Sequence, residues 1–294
     1  MADTTDRSLI SAAQLNRHQV TYRVVLTLVI VVFTLIFIGP LYFLFTDGLK
    51  STSEAVQVPP TIVPAHVHPG TYASAWSRVG IGRLLVNTLY YAFGALAFQL
   101  VFDVAAAYSL SRLRPVLGNL IFALMLATLM IPATVLVVPQ YVTVSDLPLL
   151  HLNLIGSPEA IWLPSVANAF NIFLLKRFFD SIPAELLAAA AIDGASPLRT
   201  LRSVVLPISR PIIGVVSIFA LVATWKDFLW PLLVEYGYNP NRETLNVGIF
   251  EAASTTPQNL VLAASAMAAV PTLVFFLFFQ RNILSGLTAG SLKG

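Results

Sequence analysis

The chain contains no cysteine, which excludes disulfides, thiolate metal sites and cysteine nucleophiles together. Charge is also scarce: 11% of the 294 residues are Asp, Glu, Lys or Arg, against roughly 25% in a soluble domain. No Gly-x-x-x-x-Gly-Lys-Ser/Thr occurs, so there is no P-loop to cradle nucleotide phosphates, and any ATP energy must come from another polypeptide. Histidine is confined to His18, His66, His68 and His151, all in polar tails or loops, which argues against a histidine-based hydrolase or metalloprotease within the membrane. His66 and His68 lack a nearby third ligand, and zinc normally takes three or four, so no metal site is expected. A formal charge of +3 with scattered basic residues leaves no footprint for nucleic acid.

What remains is apolar. The chain is 57% hydrophobic with a mean hydropathy of +0.79, the composition of a polytopic membrane protein. Six runs are long and apolar enough to read as spans: Val24 to Phe45, Leu84 to Ser109, Leu120 to Val144, Ile161 to Leu175, one starting near Pro211, and Leu260 to Phe279. No cleavage site follows the first, so it reads as a retained helix. Pro40 predicts a kink in it, and Pro164, Asn168 and Asn171 interrupt the fourth, as in helices that line a cavity or pack on protein. Asp103 lies inside the second span, where a carboxylate costs roughly 2.5 to 3.5 kcal/mol at the bilayer centre, and must face the bundle or a partner.

The expected fold is all-α with six transmembrane helices: a tail over 1–23, a spanning domain over 24–283 and a tail over 284–294. An external loop, polar and proline-rich, covers 47–82, and a cytoplasmic loop covers 180–210. Counting Lys and Arg on each side puts twelve inside and five outside, so both termini are expected in the cytoplasm.

The chain is organised around Ile182 to Pro211, a polar-flanked island between apolar runs. Pro183 suits a first helical turn, and Ala184 to Ala191 are mostly strong helix formers with little bulk. Asp193 and Gly194 break that helix, and Ser196-Pro197 starts a second, through Leu198, Leu201 and Val205, that Pro207 limits. Such a smooth, sharply bent helix pair suits a knob seated in another protein's cleft; the competing reading is an ordinary amphipathic cytoplasmic loop.

This stretch resembles the cytoplasmic loop of ABC importer permeases, whose pattern is Glu-Ala-Ala, three residues, Gly, nine residues, Ile-x-Leu-Pro. Ala188, Ala189, Ala190, Gly194, Val204, Leu206 and Pro207 occupy those positions, and Asp193, Gly194 and Ala195 match the carbohydrate-uptake branch. Ala188 stands where the motif has glutamate, with Glu185 about one turn earlier, so the family's pairing with a basic residue of the ATPase is open here. The Ala-Ala-Tyr-x-x-x-Arg ending of the second span, the loop residues Lys50, Glu54, Pro60, Pro64 and Tyr72, and the tail QRNILSGLTAGSLKG are also similar. The resemblance covers nearly the whole chain. It implies a type I importer fold in a prokaryotic cell membrane and a heterodimer with a second permease subunit. Two ATPase subunits would bind ATP and magnesium, an external solute-binding protein would deliver a sugar or oligosaccharide, and the chain itself would carry no cofactor.

In the fifth span, Trp225, Lys226, Asp227 and Trp230 resemble the family's Trp-Asn-Asp-Phe segment, with Lys226 in place of asparagine. On an unbroken helix Lys226 and Trp230 share a face with Asp227 about 100° round, so both charges are expected to border one cavity. The competing reading has Lys226 snorkelling to headgroups and Trp230 anchoring the interface. An ion-coupled secondary transporter using Asp103 and Asp227 is the alternative function, but it would need an internal repeat, and none is visible. An intramembrane enzyme lacks a catalytic constellation, since Ser217 and Ser265 have no nearby base and suit helix packing.

Overall fold

A computed structural model describes residues 19–239 and 241–289, so the expected placement of the extreme tails, 1–18 and 290–294, lies outside the described residues. Every named element among them is helical, with one isolated bridge between Leu147 and Leu152.

Helix α1, Gln19–Asp47, is apolar all round and runs through Pro40 as one helix, without a break where the kink was expected. With no polar stripe it has no side to turn to water: residues 21–38 are exposed, whereas its C-terminal end is half-buried and packs against the helix Gln258–Ala289. The loop after it is built on a buried lysine. Lys50 is 1% exposed, pairs with Asp47 at 2.5 Å and donates to Thr61 O at 2.6 Å. Glu54 accepts from Thr61 Oγ1 and from the Ala65 N–H, at 2.8 and 2.9 Å, and these donors, the backbone one foremost, hold its carboxyl below the usual range. His66 and His68 are both exposed.

That loop ends sooner than expected. Helix begins at Gly70 rather than near Leu84, as α2, Gly70–Ala75, a π-helical turn over Trp76–Gly80, and α3, Ile81–Tyr108. Thr71, Ala75 and Val79, spaced by four, are buried, and Ala75 and Val79 share an apolar cluster with Ala263 and Ala264. The intervening serines and arginine hide this stripe from a hydropathy reading. A second π-helical turn, Ser109–Leu113, extends α3, and the 44 residues Gly70–Leu113, with Gly80 at φ +74° between α2 and α3, are long and apolar enough to cross a membrane.

The third expected span is two helices, α4, Gly118–Thr128, and α5, Ala133–Ser145, bent by 108°. Pro132 has no N–H to give and pushes Ile131 out of the helical region, so the chain turns there. The fourth is split into α6, Glu159–Trp162, and α7, Ala169–Ser181. Asn168 starts α7, its Oδ1 accepting from the N–H groups of Phe170 and Asn171. Asp103, fully buried, accepts from the Asn168 N–H at 2.9 Å, so it faces this chain's own bundle, at the positive end of α7.

At the end of the 182–211 loop, α10, Arg210–Lys226, meets the preceding helical segment at 82°. Helix α11 is Leu229–Val234, α12 Leu245–Ala252 and α13 Gln258–Ala289. Among the described residues, three helices are long and apolar enough to cross a membrane, those within Thr21–Asp47, Gly70–Leu113 and Gln258–Gln280, or up to five if each of the two bent pairs is one span. Ser217 and Ser265 each donate to the carbonyl four residues back, which satisfies them within their own helices.

The bundle is packed around α3, which touches α6, α7, α10 and α12. Trp162 of α6 lies flat against Gly94, where an added Cβ would come within 2.3 Å of the indole, and its Nε1 donates to Tyr91 O at 3.2 Å. Gly94→Ala is therefore expected to push α6 off α3 and to cost about 1 to 3 kcal/mol. A thermal unfolding scan of the detergent-solubilised protein should show an earlier transition, and an unchanged one would mean that α6 packs elsewhere.

Candidate functional site: a mounted knob and a cavity at the helix breaks

The knob forms as its sequence dictates. Helix α8, Ala184–Ile192, ends in a Schellman motif: the Ala195 N–H donates to Ala190 O at 2.9 Å and the Gly194 N–H to Ala191 O at 3.0 Å, with Gly194 at φ +73°. Ser196 Oγ accepts from the Arg199 N–H at 3.4 Å and Pro197 opens α9, Pro197–Thr200. Pro207 does not limit the second helix as expected. A π-helical turn over Leu201–Val205 absorbs its missing donor, the Leu206 N–H bonding Leu201 O, and the helix runs to Ile208.

None of α8 is buried. Glu185, Ala188, Ala189, Asp193, Gly194 and Pro207 are exposed, whereas Ala190, Ala195 and Leu206 are half-buried. Ile192 is 87% exposed and Leu198 64%. A Cβ at Gly194 would touch nothing, so a side chain there is opposed by the backbone angle alone.

The mount is as ordered as the knob is bare. Arg112, at the end of the α3 rod, donates through Nη2 to the carbonyls of Phe179 and Ile182, the latter at 2.9 Å. Ser111 Oγ donates to Asp180 Oδ1 at 2.6 Å, and Lys176 pairs with Asp180 Oδ2 at 2.8 Å. Burial pushes the Asp180 carboxyl up, but Lys176, Ser111 and Arg112 outweigh it and the net direction is down. On the far side of the knob, Tyr108 OH donates to Pro197 O at 2.9 Å. One helix end thus grips the chain entering the knob and the start of α9. Beneath, Ala107, Leu175, Phe179, Val205 and Val216 form a buried cluster. The sequence marked Arg112 only as a membrane exit; the Ala-Ala-Tyr-x-x-x-Arg pattern was the signal that held its structural role.

The second region lies where the breaks converge. A cavity of about 290 Å³ is bounded by Ala133 and Gln140 of α5, Pro164 and Ser165 of the gap after α6, and Asp227 and Trp230. Trp230 Nε1 donates to Ala160 O at 2.9 Å, which ties α11 to α6. The unbroken helix expected across Lys226, Asp227 and Trp230 is absent. α10 stops at Lys226, Asp227 is extended, and Asn246 Nδ2 donates to the freed carbonyls of Trp225 and Asp227 at 3.1 and 3.3 Å. The break separates the two charges, since Lys226 and Trp225 line a different cavity, of about 460 Å³, with Asn246 and Ser265. Asp103 and Asp227 are not brought together either: Asp103 is sealed against Asn168 and Asp227 borders the cavity.

A family model described as binding-protein-dependent transport system inner membrane component matches residues 99–287. The sn-glycerol-3-phosphate transport system permease protein UgpE of Rhizobium meliloti is 30% identical over 271 residues, covering 88% of this chain and 94% of that protein. The melibiose/raffinose/stachyose import permease protein MelC of Bacillus subtilis is 30% identical over 257 residues, covering 87% and 91%. Among solved structures, a chain of a bacterial ABC transporter involved in the import of the acidic polysaccharide alginate superposes with a TM-score of 0.76 at 21% identity, covering 95% of this chain and 99% of that one. A chain of the alginate transporter in complex with a pentasaccharide-bound periplasmic protein gives 0.65 at 16% identity, covering 92% and 97%.

The mount yields a direct test. Arg112→Ala removes two hydrogen bonds from a charged donor, each worth about 1.5 to 3 kcal/mol, and leaves the last carbonyls of α7 bare. Trypsin added to inside-out vesicles should then cut at Arg199 and Arg202 at least about tenfold faster than in the wild type, because 1.4 kcal/mol of loosening already gives that factor. Equal cleavage rates would show that the apolar cluster alone holds the knob.

Proposed function

The chain belongs to the family of binding-protein-dependent transport system inner membrane components, and from that premise we propose that it is the permease subunit of an ATP-driven sugar importer worked through its 182–211 loop. It is an inner membrane transport component, not an enzyme. In this reading it spans the membrane six times with both termini inside and pairs with a second permease. Two ATPase subunits on the cytoplasmic side bind ATP and magnesium, and an external solute-binding protein delivers the substrate.

One observation carries the reading: the knob is apolar and exposed, yet its mount ties it to the long helix α3. An exposed apolar surface on a rigid mount suits a docking element that transmits movement. With Ala188 in place of an acid, docking rests on the apolar faces of Leu186, Ile192 and Leu198, because an exposed pair from Glu185 or Asp193 would add only about 0 to 1 kcal/mol.

The cavity supports the substrate class. Asp227 is the one charged group on its described wall, so a phosphate or carboxylate there would meet a like charge, whereas neutral hydroxyls can bond to Asp227, Gln140 and Ser165 over the flat face of Trp230. A neutral mono- or oligosaccharide fits better than sn-glycerol 3-phosphate or a uronate polymer.

The complex, purified with its co-encoded subunits, should hydrolyse ATP faster when the binding protein carries a neutral sugar and not when it carries sn-glycerol 3-phosphate or an oligouronate. Stimulation by the anions alone would reverse the substrate assignment. Gly194→Val, strained by about 1 to 3 kcal/mol, should insert and assemble yet lose uptake, and wild-type uptake in that variant would count against the docking role. Trp230→Ala should slow uptake with assembly intact while Lys226→Asn is tolerated. The opposite pair of results would place the pathway on the Lys226 side.

A further inference from the structure

The segment joining α11 to α12 forms a strap over the outer end of α3. Asn87 Nδ2 donates to the carbonyls of Asn241 and Glu243 at 2.8 and 3.0 Å, Arg83 Nη1 to Asn241 Oδ1 at 2.8 Å, and the Leu245 N–H to Thr88 Oγ1 at 2.8 Å. At its start the Gly156 N–H donates to Val234 O at 2.7 Å, and Gly237 turns the chain at φ +76°.

Two carboxyls lie beneath this strap that neither the cavity nor the knob uses. Glu235 is 2% exposed, and both its oxygens are buried with no partner in hydrogen-bonding geometry. Glu243 is 2% exposed as well. The groups facing Glu235 are the Tyr91 phenol from α3 and Glu243 and Arg242 from the strap; Glu243 in turn faces Glu251 of α12 and Arg83 of α3. An unpartnered buried carboxylate beside a second acid is costly, and the protonated form is the state that avoids the cost. Burial foremost, with Glu243 adding to it against Tyr91 and Arg242, pushes Glu235 up to about 8. Burial and then Glu251 push Glu243 up to about 7.

We propose that Glu235 is a proton-binding site that latches the strap of residues 235–239 and 241–244 over the outer end of the bundle, shut while its carboxyl is protonated and released when that proton passes to external water. The reaction is an acid dissociation: the carboxyl O–H bond breaks, its electron pair stays on the oxygen, and water takes the proton. The closed strap holds a proton that the open one, its carboxyl back in water, gives up. Acid therefore favours closure, and closure is lost as pH rises from the ordinary carboxyl value of 4.5 through about 8.

The absence of cysteine makes a clean probe available. Thr244 is 4% exposed and its Oγ1 has no partner, so Thr244→Cys puts a thiol in place of the hydroxyl, removes one methyl group and loses no hydrogen bond. An impermeant maleimide reports strap opening in the assembled complex in right-side-out vesicles. At each pH the rate is divided by that of the same cysteine in a Glu235→Gln background, which cancels the thiol's own ionisation. The ratio should climb with pH, by up to about tenfold per unit for one proton released, across about pH 5 to 8. Tyr91→Phe removes the phenol that favours the ionised carboxyl in the closed strap, so the climb should continue to higher pH before it levels off. A flat ratio overturns the proposal. Should Glu235→Gln fail to assemble, the wild-type strap and Tyr91→Phe carry the test, and coincident pH profiles overturn it. No uptake is measured, so failure here leaves the importer reading where it stands.

Discussion

Two carbonyls at the C-terminal end of α7, those of Phe179 and Ile182, close on one guanidinium, Arg112, and the mounting of the 182–211 loop depends on that contact. Helix C-termini leave carbonyls without partners and carry partial negative charge, so a cation placed there satisfies both needs at once. Tyr108 and Ser111, from the same helix end, bond Pro197 and Asp180, so α3 holds the loop at its entry and at its middle, where α9 begins. The knob is thereby tied to the helix against which α6, α7, α10 and α12 pack.

The broken helices follow from a different constraint. In a bilayer each freed backbone group must be satisfied by protein or by water in a cavity. At the start of α7, Asn168 and Asp103 satisfy the amides, and at the end of α10, Asn246 satisfies the carbonyls. The bends at Pro132, at the α6–α7 gap and at Asp227 all border the same cavity, so the polar lining costs no orphaned backbone among these groups. Trp230 belongs to both arrangements, lining the cavity with its ring while its N–H anchors α6.

Local chemistry was legible in the sequence. Asp193-Gly194 and Ser196-Pro197 foretold the end of α8 and the start of α9, because a positive φ and an N-cap are written in single residues. The interruption near Pro164 and Asn168 was equally visible. What depends on three-dimensional neighbours was not. Helix from Gly70 needed α13 to bury a stripe of small residues, and the π-helical turn before Pro207 needed a fold that keeps the segment helical. The separation of Lys226 from Asp227 needed Asn246, some twenty residues on, to stabilise a break. Arg112 read as a topology marker since nothing local tells a snorkelling arginine from one capping another helix, and Glu235 carries no signal in the sequence because its burial depends on neighbours far along the chain, Tyr91 among them.

The central claim is that the knob drives the spans through its mount, and the ratio of sugar transported to ATP hydrolysed tests it most directly. In proteoliposomes holding the purified complex with Arg112→Ala and Tyr108→Phe combined, ATP hydrolysis should persist while sugar delivered per ATP falls several-fold. An unchanged ratio in the double variant, with assembly intact, would contradict the account and place the mechanical link elsewhere in the chain.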